Sequence, residues 1–229
     1  MSIPQQSTRS TAPIRRPALI FGGVLWLVAF GALILLFYKM PEGALTSEVP
    51  PVEEQSESIW GNEPIRNFSL TDSTGSEVTR QDLAGKPFVV GFIFTRCAGP
   101  CPRVSGQMRL LQDKMKALKI DARLVTLTVD PDYDTPEILA QYAEIFGADS
   151  ERWIFLTGQK SNVYQLITDD FLMPVQEMEG DERQPGFEVL HTTNLLLIDE
   201  DGVVRGKYNA VLPNEMEDLK RELATRAGS

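Results

Sequence analysis

The sequence predicts a wound α/β domain preceded by one transmembrane helix, with an N-terminal β-hairpin and an insertion before the last strands. Three observations carry this. Residues 18–38, ALIFGGVLWLVAFGALILLFY, are an uncharged apolar run. From about residue 64 to residue 223, short apolar runs alternate with stretches whose apolar residues recur every three or four positions. Residues 87–94, PFVVGFIF, form the nearly continuous apolar run of a buried central strand.

At about 1.5 Å per residue, the run 18–38 is long enough to cross the roughly 30 Å hydrocarbon layer of a bilayer as a helix. A signal peptide has an apolar core of only about 7–15 residues and then a small-residue cleavage site. Here Lys39, Met40, Pro41 and Glu42 follow, so an uncleaved anchor is expected. Arg9, Arg15 and Arg16 precede the span without an acid among them, and only Lys39 follows closely. The positive-inside rule then places residues 1–17 in the cytoplasm and the larger part outside, on a single-pass plasma-membrane protein. A bacterial membrane is favoured over the mitochondrial inner membrane, because the N-terminal segment is short and has no long amphipathic transit region. Residues 39–63 mix prolines, serines and acids with almost no apolar periodicity and read as a flexible linker. Residues 64–229 are then one domain with one core.

Within that domain, residues 68–70 and 77–79 flank the turn-rich Asp72-Ser73-Thr74-Gly75 and predict a hairpin. After the strand at 87–94, Pro102 suits the first turn of a helix, and Val104, Met108, Leu111, Met115 and Leu118 fall on one face of it. That stripe is expected to be core packing, not a methionine copper site. Strand 123–129, helix 135–146, strand 153–156, helix 160–168 and strand 194–198 continue the alternation. Asp199 to Gly202 turn that last strand into 203–208, and a helix over 214–225 closes the domain. Residues 173–186, MPVQEMEGDERQPG, are a long irregular insertion leading toward His191, either a flap over a site or a solvated excursion.

Residues 41–229 carry 18 of the 22 basic residues and all 32 acids, a net charge of −14. Such a surface repels nucleic acid and anionic lipid and steers cations and basic partners. Cys97 and Cys101 are the only cysteines and His191 is the only histidine. Two thiolates and an imidazole form a soft ligand set suited to cuprous copper, while two thiols at this spacing can also cycle through a disulfide. A structural disulfide is a poor use of them, because closing so short a loop removes little unfolded-state entropy. Structural zinc normally wants four protein ligands. One cysteine follows a buried strand and the other begins a helix, where the positive end of the dipole favours thiolate. Thiolate serves metal binding and disulfide attack alike, so this placement separates neither reading. Ala98, Gly99 and Pro100 between the cysteines allow a wider bite than the two-residue spacing of thioredoxin-type reductases. A histidine at a loop-to-strand junction stands where sites are commonly built. A peroxide-reducing thiol has only Thr95, two residues before Cys97, in its favour.

Asp130, Asp132 and Asp134 copy the first ligand positions of a calcium loop, but Thr135 stands where glycine is needed and Gln141 where a bidentate glutamate is needed. Capping of the next helix by Asp134 or Thr135, with Pro136 and Glu137 in its first turn, is expected instead. No serine-hydrolase arrangement or phosphate-binding glycine loop appears.

The chain resembles the Sco/SenC family over about residues 64–223. The match rests on NFSLTDSTGSEVTRQDLAGKPFVVGFIFTRC, CAGPCP, TVDPDYDTPEILAQYAEIFG, FLTG at 155–158 and HTTNLLLIDEDGVVRGKY, in order and at the right spacing. The resemblance implies a thioredoxin-like fold and a membrane-anchored copper protein that helps assemble the copper centre of cytochrome c oxidase. It implies Cys97, Cys101 and His191 as ligands of a copper ion, Cu(I) and also Cu(II), with Asp130 and Asp134 behind them. The expected partner is the copper-bearing subunit of cytochrome c oxidase or another copper or thiol protein. The rival role is that of a thiol-disulfide oxidoreductase using Cys97 and Cys101 as its redox pair. Many family members carry proline after the first cysteine and an acid just before the histidine, where this chain has Ala98 and Leu190. The missing acid favours cuprous over cupric binding.

Overall fold

In the computed structural model, which describes residues 30–35 and 59–228, the apolar runs of the domain become strands of one seven-stranded sheet. The chain divides into two units, Met1–Gln55 and Ser56–Ser229. In the first, residues 30–35 are helical, with Phe30, Leu33, Ile34 and Leu35 exposed. The cytoplasmic segment 1–17, the rest of the span 18–38 and the linker up to residue 58 lie outside the described residues. Among the described residues no helix is long and apolar enough to cross a membrane.

The second unit opens with the expected hairpin, β1 (Ser69–Asp72) and β2 (Glu77–Thr79), and a short helix α1 (Arg80–Leu83). Then come β3 (Phe88–Ile93), α2 (Cys101–Leu118), β4 (Arg123–Thr128), α3 (Pro136–Ile145), β5 (Trp153–Thr157) and α4 (Lys160–Gln165). The chain continues through β6 (Val175–Glu177), β7 (Val189–His191), β8 (Asn194–Ile198), β9 (Val204–Asn209) and α5 (Pro213–Arg226). The sheet order is β2-β1-β5-β4-β3-β8-β9. Strands β3, β4 and β5 pair in parallel, and β1 and β8 flank them antiparallel. All six residues of β3 are buried, which explains its unbroken apolar sequence: a strand covered on both faces has no polar side. Gly91 at its middle has no side chain because a Cβ there would lie 3.0 Å from the Leu195 side chain.

Three local readings change. Val104, Met108, Leu111 and Met115 are buried on α2, but Leu118 is 56% exposed, since the helix ends there and Lys119 turns left-handed. The helix expected over 160–168 is α-helical only to Gln165 and then widens into a π-turn, Leu166–Asp170, that keeps Leu166 and Ile167 buried. The insertion 173–186 is not wholly irregular. Its β6 pairs with β7 in a separate two-stranded ribbon, Val175 opposite His191 and Glu177 opposite Val189, with a 3₁₀ turn over Gly180–Glu182 near its tip.

This topology sets up the site. The register of β3 with β8 puts Val90 opposite Leu196, so the start of β8 lies toward the end of β3. The chain leaving β3 carries the cysteines, and the chain entering β8 carries His191.

Candidate metal centre

Past Ile93 the backbone turns tightly, with the Cys97 N–H donating to the Phe94 carbonyl at 3.2 Å. Pro100 occupies the cap position of α2, and Cys101 is the first residue of that helix, with Pro102 in its first turn. Cys101 is fully buried and Cys97 half-buried. His191 closes β7. Residues 90 positions apart in sequence thus converge: the two sulfurs and a His191 ring nitrogen all lie within 4.8 Å of one another. The His191 Nε2 stands 3.1 Å from the Cys101 Sγ. On the other side of the ring, Nδ1 is 2.9 Å from the Thr192 carbonyl oxygen. A carbonyl only accepts, so Nδ1 carries the hydrogen and Nε2 is the nitrogen turned toward the sulfurs. The buried Phe94 ring meets the imidazole edge to face, with centroids 5.7 Å apart.

Both cysteines are free thiols. The helix-dipole argument alone would ionise Cys101, and the structure reverses it. The neighbouring Cys101 side chain draws Cys97 down from 9.0 to about 4 against the cost of burial, with the Cys101 and Gly99 N–H groups adding to the effect. The neighbouring Cys97 sulfur, together with burial, pushes Cys101 up. Two adjacent thiolates repel, so the more exposed sulfur takes the charge. Iodoacetamide at pH 6 is therefore expected to label Cys97 at least ~10-fold faster than Cys101, with the rate declining as pH falls through about 4 and Cys97 protonates. Peptide mass spectrometry reads this, and equal labelling of the two thiols would contradict the assignment.

Neither Asp130 nor Asp134 joins the three. Asp134 is buried and accepts from the Thr95 N–H at 3.1 Å and from the hydroxyls of Thr95 and Thr128, so it ties the segment ahead of Cys97 to the end of β4. Burial raises its pKa, and these hydrogen bonds oppose the rise. The helix cap is Thr135, whose hydroxyl accepts from the Ile138 N–H at 3.4 Å. Asp130 holds Arg96, and Asp132 holds Lys160 at 2.9 Å, so the three acids of the calcium-like spacing serve separate partners.

Sequence reasoning missed the residues around the ligands. Arg96 lies between Asp130 and Glu188, with its guanidinium 3.9 Å above the Tyr133 ring. Gly186, at φ +86°, packs so closely that a Cβ would come 2.5 Å from the Ala98 Cβ. An open cleft of about 210 Å³ leads to Cys97 and His191 between Phe94, Pro100, Met178 and Phe187. Phe187 and Leu190 are more than half exposed at this cleft. The one available signal was a basic residue directly before Cys97 in an acidic domain.

Comparison with known proteins finds related sequences and related folds. The SCO1/SenC family model matches residues 58–225. The SCO1 protein homolog of Bacillus subtilis is 31% identical over 159 residues, which cover 69% of this chain and 80% of that one. The structure of BsSco, a member of the Sco family of cytochrome c oxidase assembly proteins in which a disulfide switch was identified, superposes with a TM-score of 0.64 at 28% identity. That match covers 73% of this chain and 95% of BsSco. ScoI of Bradyrhizobium japonicum with copper bound gives a TM-score of 0.58 at 25% identity, over 69% of this chain and 99% of ScoI. The fold is thioredoxin-like, as the resemblance implied.

Proposed function

Since the chain belongs to the SCO1/SenC family, we propose that it is a membrane-anchored copper-binding assembly factor for cytochrome c oxidase. Cys97, Cys101 and His191 hold the ion, and the copper-bearing subunit of the oxidase, or another copper or thiol protein, takes it by ligand exchange. The observation that carries this is the convergence of two sulfurs and Nε2 beside an open cleft. The donor set fits the metal: three soft ligands satisfy Cu(I), whereas a structural zinc would need a fourth protein ligand. The copper-bound ScoI of Bradyrhizobium japonicum supports copper as the cargo. Residues 18–38 supply the anchor, with residues 1–17 in the cytoplasm and the domain 64–229 outside it, after the linker 39–63. Anaerobic loading of the reduced full chain with Cu(I), followed by gel filtration and metal analysis, is expected to give stoichiometric copper. A copper-free chain overturns the reading.

The unequal thiols favour a second role, thiol-disulfide exchange. The Cys97 thiolate attacks one sulfur of a partner disulfide and releases the other as a thiolate. Cys101 then attacks the mixed disulfide, leaving a Cys97–Cys101 disulfide and a partner dithiol, two electrons transferred. A Cys101→Ser variant that accumulates a mixed disulfide with the partner, together with copper having no effect, would replace the first reading with this one.

A further inference from the structure

We infer that Arg96 and Glu188 form a clasp that sets how fast the metal centre opens, an inference that rests on the copper reading above. The residues on either side of Cys97 are both tied to the segment that leads into His191. On one side, the Arg96 Nη1 meets the Glu188 Oε1 at 3.3 Å. On the other, the Ala98 N–H donates to the Gly186 carbonyl at 3.0 Å. Glu188 closes the ring itself, since its Oε2 accepts from the Gly186 N–H at 2.9 Å. The circuit therefore runs from residue 96 to 188, to 186, to 98, and encloses the first cysteine.

Arg96 is anchored behind as well. Its Nη2 reaches the Asp130 Oδ2 at 2.5 Å, and its guanidinium stacks on Tyr133, so the clasp is fastened to the end of β4. Glu188 and Asp130 are buried, while Arg96 is partly exposed at the side-chain level. A planar guanidinium that bridges two buried carboxylates holds both at fixed separation, which an ammonium cannot reproduce. The buried Arg96 Nε has no acceptor among the described residues. An unsatisfied donor at this point is poor design for stability and better suited to a contact that must break. Glu188 stands three residues before His191. Ala98 supplies an N–H that a proline at this position lacks. The β6–β7 ribbon pairs only within itself among the described strands, so this clasp joins the Cys101–His191 contact in linking the ribbon end to the cysteine loop that the ion must leave.

Arg96 and Glu188 are positioning residues: they act on copper through the ligands they hold apart or together. The test uses the full chain loaded with Cu(I), with stopped-flow transfer to a chromophoric Cu(I) chelator and amide hydrogen exchange of the copper-free chain. Arg96→Met and Glu188→Gln are each expected to speed copper release on the order of 10–100-fold. The double variant should be no faster than either single one, because they break one shared link. Arg96→Lys should restore only part of the slow release, and the amides of Ala98 and Gly186 should lose protection in the same variants. Glu188→Gln keeps an oxygen for the Gly186 N–H, so it tests the clasp even where Arg96→Met fails to fold. Wild-type release rates and unchanged amide protection in a folded Glu188→Gln, or additive effects of the two substitutions, overturn the clasp. A wild-type chain that takes up no copper overturns the copper reading instead, and the amide protection then decides the clasp alone.

Discussion

Replacing Cys101 by serine is expected to strip the protein of stable copper while leaving it folded. Cys101 is fully buried among apolar residues and is a near-isostere of serine, so the core loses little volume. The donor changes completely. A neutral hydroxyl is a hard, weak ligand, and the remaining thiolate and imidazole cannot form the soft three-ligand set that suits Cu(I). Loss of a second-sphere group typically costs about 10–100-fold in metal affinity, so loss of a ligand should cost more than about 100-fold. Competition with a Cu(I) chelator of known affinity measures it, and His191→Ala should behave alike. Full stoichiometric binding by either variant would refute the triad. The charge states add a pH dependence. Cys97 is already ionised above about pH 4, whereas the Cys101 thiol gives up its proton only as the ion binds. Copper uptake therefore releases a proton, and affinity weakens as pH falls.

The largest stability effect near the site is expected from Phe94→Ala, about 3–5 kcal/mol. Phe94 is 1% exposed, lies just past the end of β3 and presents its ring to the imidazole at 82° between planes. Truncation leaves a cavity at the junction of sheet and site, and it removes the wall that holds the His191 ring. Urea unfolding should show a lower midpoint at unchanged slope. A loss below about 1 kcal/mol would mean that the ring packs loosely and does not orient the histidine.

Much of this arrangement was legible before folding. The run 87–94 declared a doubly covered strand, and the spacing of Val104, Met108, Leu111 and Met115 declared the inner face of α2. The three soft residues stood out because nothing else in the chain has their chemistry. The ribbon did not stand out. Val175, Gln176 and Glu177 carry no strong alternation, and their pairing with residues 189–191 depends on a turn between them that composition alone does not specify. Contacts such as Arg96 with Glu188, or Gly186 with Ala98, join positions about 90 residues apart and leave no periodic trace. The thiol that ionises was also hidden, because it depends on which sulfur the fold leaves half open and which it buries.

Among the described residues, the imidazole is delivered on an arm that borrows no ladder hydrogen bonds from the main sheet. Its far tip is stitched by its own short-range bonds, Glu182 N–H to Glu179 and Phe187 N–H to Gln184. Lengthening so self-contained a tip is cheap, about 0.6 kcal/mol for each doubling of a flexible loop. Residues 180–183 are thus a natural graft point, where a reporter or a recognition peptide could be installed beside the cleft without disturbing the β-sheet beneath it.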